Sequence, residues 1–100
     1  MTSNDIAATI FRQLGGNKFR AMTGMKNSMT INNGLQFDIP TTNKINRVQI
    51  VLTGADLYTM AFYRYRPSTL TLITVDQTYG VYADALQSVF TDRTGLATRL

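Results

Sequence analysis

The run Tyr58-Thr59-Met60-Ala61-Phe62-Tyr63-Arg64-Tyr65-Arg66 holds the densest set of groups able to recognise a ligand. Alternate residues of a strand share a face. Tyr58, Met60 and Phe62 then make an apolar face. Tyr63 and Tyr65 project from the other, beside Arg47 and Gln49 of the neighbouring strand. A bulge near Tyr63 would instead turn Arg64 and Arg66 outward. Either register gathers aromatic and cationic groups near one end of the sheet. Lys18 and Arg20 alternate with Phe19 and Ala21, and fall on the same outer face if their segment is the first strand. Rings stack on bases at roughly 1–3 kcal/mol each while cations track phosphates, so the set suits single-stranded nucleic acid. Tyr and Arg are also enriched at protein interfaces, and they are good strand formers on an ordinary solvated face.

Other candidates are weaker. Gly15-Gly16-Asn17-Lys18 has the glycines of a phosphate loop, but such a loop precedes a helix, and these glycines follow one. A helix C-cap is the better account. Asp38, Asp56, Asp76, Asp84 and Asp92 lie far apart, without the spacing of a calcium loop, so no metal site is expected. The chain has no His, Cys or Glu. A Ser or Thr nucleophile therefore has no histidine to activate it, and thiolate chemistry and Cys-based zinc sites are excluded. These absences predict no catalytic residue, no cofactor and no enzymatic activity.

The 100 residues are 44% apolar and 16% charged, a globular balance that predicts one domain. Net charge is +4, and it is uneven. Residues 12–66 hold eight cations against two acids, a net of +6, and each flank sums to −1. Such a field favours polyanions or acidic protein surfaces, although it also serves solubility. No stretch approaches the ~18 apolar residues of a membrane span, and the first residues lack the pattern of a signal peptide. An intracellular protein without membrane contact is the expectation.

The elements that must position these groups follow from periodicity. Ile6, Ala7, Ile10, Phe11 and Leu14 make a helical stripe, capped by Ser3 or Asn4 and ended by Gly15-Gly16. Lys18 to about Thr23 or Gly24 alternates as a strand, and Lys26–Gly34 reads as a polar connection with a turn at Asn32-Asn33-Gly34. Leu35, Phe37 and Ile39 alternate until Pro40 stops the strand. Arg47 to Thr53, Leu57 to Arg66 and Thr69 to Val75 supply three more strands, the last with a bulge at Leu72-Ile73. Tyr82, Ala85, Leu86, Val89 and Phe90 form a second helical stripe, with Gly95 as its C-cap. The fold class is α+β: an antiparallel sheet of four to five strands, covered on one face by an N-terminal and a C-terminal helix. Its expected core is Ile10, Phe11, Phe19, Leu35, Phe37, Ile39, Val48, Ile50, Leu52, Phe62, Leu86 and Phe90.

Three segments carry a resemblance. They are Leu14-Gly15-Gly16-Asn17-Lys18-Phe19 with Ala21-Met22-Thr23-Gly24 and Lys26-Asn27; Asn46-Arg47-Val48 through Asp56-Leu57-Tyr58 to Phe62-Tyr63; and Val81-Tyr82-Ala83-Asp84 through Phe90 to Thr94-Gly95-Leu96. Together they resemble small proteins encoded by bacteriophages and integrated mobile elements. The resemblance implies such an origin, hence the bacterial host cytoplasm or the virion as location, and it transfers no functional residue. Where that group commonly has acids, this chain has Thr59, Ala61 and Gln77.

The sequence thus reads as a small non-enzymatic accessory protein that binds a macromolecule through Lys18, Arg20, Arg47, Tyr63, Arg64, Tyr65 and Arg66. Single-stranded nucleic acid is the favoured partner. The alternative is a protein-binding module: a homo-oligomeric virion or replication accessory, or an inhibitor of a host defence complex.

Overall fold

Thr2, not Ser3 or Asn4, starts the first helix in the computed structural model, which describes residues 2–98. The Thr2 Oγ1 accepts from the Asp5 amide at 3.1 Å while the Asp5 carboxylate accepts from the Thr2 amide at 3.2 Å. This reciprocal capping box satisfies two amides that a helix start otherwise leaves open. Helix α1 runs Ser3–Leu14 and buries Ile6, Ala7, Ile10 and Leu14, with Phe11 at the margin of the core.

The segment expected to be the first strand is a helix instead, α2, Asn17–Thr23. Of its side chains only Phe19 and Thr23 are buried, one helical turn apart, and Ala21 is exposed. The Thr23 hydroxyl donates to the Phe19 carbonyl at 2.7 Å and accepts from the Met25 amide at 3.3 Å, which closes the helix. The polar stretch after it is the actual first strand, β1, Lys26–Ile31. Strands β2 (Gly34–Thr42), β3 (Ile45–Leu52), β4 (Tyr58–Arg66) and β5 (Thr71–Val81) follow. All neighbours pair antiparallel in the order β1-β2-β3-β4-β5.

Pro40 does not stop β2. Three residues, Ile39–Thr41, stand opposite Asn46 alone, because the register shifts between Asp38↔Arg47 and Thr42↔Ile45. A proline in a bulge withholds no ladder hydrogen bond. The turn at Asn32-Asn33 is tight because Gly34 lies against the neighbouring strand. A β-carbon there would come within 2.2 Å of the Ile50 carbonyl oxygen. In β5 the irregularities lie beyond Leu72-Ile73, at Val75 and at Tyr79-Gly80.

A 3₁₀ turn, Ala83–Ala85, leads into helix α3, Leu86–Thr94, and Tyr82 stays exposed outside its stripe. The Gln87 side chain donates to the Leu14 carbonyl at 2.7 Å and ties α3 to the end of α1. Thr42 Oγ1 donates to the Thr94 carbonyl at 2.9 Å, anchoring the other end of α3 to the β2–β3 hairpin. The chain is an α+β fold with its helical layer on one sheet face. Phe37, Val48 and Phe62 form one buried row across three strands, and Leu35, Ile50 and Met60 form the next. Phe19 meets Phe37 and Phe90 edge-on, with centroids 5.6 and 4.9 Å away, and Phe90 lies tilted against Phe37 at 6.1 Å. Leu52 is only partly buried. No helix among the described residues is long and apolar enough to cross a membrane.

Candidate functional site: the open sheet face

Alternation that buries Phe37, Val48 and Phe62 must turn Asp38, Arg47 and Tyr63 to the opposite face. Register places them side by side there, with Lys26 of β1 next to Asp38. The extra residue Val75 lies on β5, so β4 keeps its alternation through Tyr63 and Tyr65. The bulge therefore leaves both tyrosines on the open face and does not turn Arg64 and Arg66 onto it.

Arg47 organises this face. Its Nε donates to Asp38 Oδ1 at 2.8 Å, and its guanidinium lies 4.4 Å from the Tyr65 ring centroid. Asn27 donates to the other Asp38 oxygen at 3.2 Å. The Asp38 hydrogen bond holds the Arg47 pKa above its already high ordinary value. Tyr65 is fixed by Asn46, whose amide donates to the Tyr65 carbonyl at 2.9 Å and accepts from the Tyr65 amide at 2.7 Å. The Asn46 side chain thus extends the β3–β4 pairing beyond its last pair, Arg47 with Tyr63. Along the next row, Gln49 donates to Gln36 at 2.6 Å and accepts from the Tyr63 hydroxyl at 3.4 Å.

A cleft of about 550 Å³ opens at this end of the face, bounded by Lys26, Asn27, Asp38, Asn46, Arg47 and Tyr65. It offers a ring, a stacked guanidinium, amide groups and an ammonium. Lys26, Lys44, Arg64 and Arg66 make no ion pair among the described residues. At the cleft, Lys26 therefore leaves one uncompensated positive charge beside the Arg47–Asp38 pair.

Of the residues singled out by sequence, Arg47, Tyr63 and Tyr65 come together. Lys18 and Arg20 do not join them: they sit on α2, within the helical layer, with the Arg20 guanidinium 4.9 Å from the Phe11 ring centroid. Arg64 and Arg66 belong to the face of Phe62, half-buried and exposed respectively, opposite Ile73 and Thr71 of β5. Sequence reasoning missed Lys26, Asn27 and Asn46, because their strand was taken for a connection or their bulge was not foreseen. The Asn32-Asn33-Gly34 turn was the available signal, since a two-residue hairpin needs a strand on each side.

Gly15 caps α1 as expected, but Gly16 also begins α2, so the pair does precede a helix. Their amides already donate to the Arg12 and Phe11 carbonyls at 3.1 and 2.9 Å and are not open to an anion. Among the described residues no three acidic side chains converge. Asp76 and Asp92 both pair with Arg93, whose Nε meets Asp76 as an ion pair. No family model, curated protein or solved structure matches this chain.

Proposed function

We propose that the protein is a non-enzymatic accessory factor, of phage or mobile-element type, that binds single-stranded nucleic acid on its open sheet face. It would act in the bacterial host cytoplasm or within the virion. The reading rests on one observation: the Arg47–Tyr65 stack at the mouth of a cleft shared with Lys26, Asn27 and Asn46. A base stacks beside or on Tyr65 and Tyr63, amides meet base edges, and the unpaired cation Lys26 meets the phosphates. Arg47 contributes less charge than its type suggests, because Asp38 neutralises it.

Fluorescence anisotropy with a single-stranded oligonucleotide at two salt concentrations tests this. Binding should weaken with salt, and Lys26→Ala should shrink the salt slope by up to about 0.7. Failure of single- and double-stranded DNA and RNA to bind at low salt would end this reading. The protein-binding alternative uses the same face, with Tyr63 and Tyr65 as its anchors.

A further inference from the structure

We propose that β5 is a homodimerisation edge: two copies pair their β5 strands antiparallel about a two-fold axis through Leu72. The result is one continuous ten-stranded sheet, whose junction adjoins the cleft of the open face at Tyr65.

The two outer strands are built differently. β1 has six residues, begins with Lys26 and carries Asn27 at φ 54° inside a bulge. Short length, lysine and bulges are the usual means of keeping an edge from pairing. β5 has eleven residues with no Lys, Arg or Pro. Its one charge, Asp76, is paired within the chain to Arg93. Leu72 and Ile73 are each 47% exposed, and Leu70 and Val75 stand exposed beside them.

Geometry selects the register. About a two-fold axis perpendicular to the sheet, directly opposite residues share a face, so the axis must pass through a residue rather than between two. The unbulged stretch is Thr71–Thr74. An axis at Ile73 would set Thr71 against the bulged Val75. An axis at Leu72 pairs residues 71–73, all within that stretch, and leaves out Leu70, a turn residue at φ 52°. It places Leu72 on its own copy, between two Tyr65 rings, with Thr71 against Ile73, whereas an axis at Ile73 would bring the two Arg64 residues into one row. The open face then carries an uninterrupted apolar row across the junction.

The electrostatics favour a second copy over a polyanion at this edge. The strand itself presents no unpaired charge, and the arginines lie one strand further in, on β4. Across the dimer Arg64 of one copy lies in line with Arg66 of the other, three strand spacings away, roughly 14 Å. That exceeds the screening length of about 8 Å at physiological salt, so the positive net charge does not oppose pairing. Three paired residues a side bury less than the roughly 800 Å² per partner of a standard stable interface, so the dimer should be weak and concentration-dependent.

Sedimentation equilibrium from about 1 to 500 µM, with one engineered cysteine in a chain that has none, tests the proposal. The parent should move from 11.2 kDa toward twice that mass. Ile73→Lys should stay at the monomer mass with an unchanged far-ultraviolet spectrum. Leu72→Cys should form a disulfide-linked dimer under mild oxidation, because directly opposite α-carbons lie about 4.5–5.5 Å apart, within disulfide range. Met29→Cys, on the β1 edge, should crosslink at least tenfold more slowly. A parent that stays monomeric to the top of the range overturns the proposal. So does open-ended association beyond a dimer, or equal crosslinking at both edges.

Discussion

The two faces of the central strands use adjacent residues for opposite purposes. On one face Phe37, Val48 and Phe62 lie in a row with no solvent contact, beneath Phe19 and Phe90. One residue further along each strand, Asp38, Arg47 and Tyr63 form a row that is half-buried and joined by an ion pair. The first row obtains its energy from area removed from water, which is non-directional and large. The second satisfies its own polar groups and holds a stacked ring and guanidinium beside a cleft. The difference teaches that stability resides in the covered face, while the open face is free to be chosen for recognition.

Substitutions on the two faces should therefore fail in different ways. The largest effect is expected on the covered face. Phe90→Ala removes a buried ring that touches both Phe19 and Phe37, and should cost about 3–5 kcal/mol in chemical denaturation. A melting curve within a degree or two of the parent would show that α3 does not pack on the sheet. Tyr65→Ala should leave folding nearly intact, losing about 1 kcal/mol or less with the Arg47 stack, and should weaken oligonucleotide binding by roughly 1–3 kcal/mol. A large stability loss with unchanged binding would reverse the roles assigned to the faces.

The smallest effect is a shift along the pH axis, again from the covered face. Burial raises the Tyr58 pKa above its ordinary 10.0. A phenol whose folded-state pKa lies above the unfolded value gives its full contribution below about pH 10, and loses it as pH rises through the raised value. Tyr58→Phe cannot ionise, so it should hold its stability further into alkali than the parent. Urea midpoints at pH 9, 10 and 11 check this, and parallel decline of the two proteins would place Tyr58 in contact with water.

Much of the covered face was legible in the chain because its signals are local and repeated. The alternation of Leu35, Phe37 and Ile39, of Val48 and Ile50, and of Met60 and Phe62 places each on the buried side. The error at Lys18–Gly24 came from length: seven residues with two buried positions fit a period of two nearly as well as 3.6. β1 was missed because an edge strand exposed along almost its whole length has no apolar alternation to read. That one displacement moved Lys18 and Arg20 off the open face and brought Lys26 and Asn27 onto it.

By itself the sequence determined the apolar face of Tyr58, Met60 and Phe62, the turn at Asn32-Asn33-Gly34, the glycine caps at Gly15 and Gly95 and the α+β class, because these depend on residues a few positions apart. Only the tertiary structure decided the cleft. Its groups come from residues 26, 38, 46, 47 and 65, and their meeting depends on the bulge at Ile39–Thr41, the Asn46 bridge to Tyr65 and the placement of the extra residue on β5 rather than β4. Each is a choice of register between strands. Register is set by pairing and by which side chains can be buried together, so no single strand carries it.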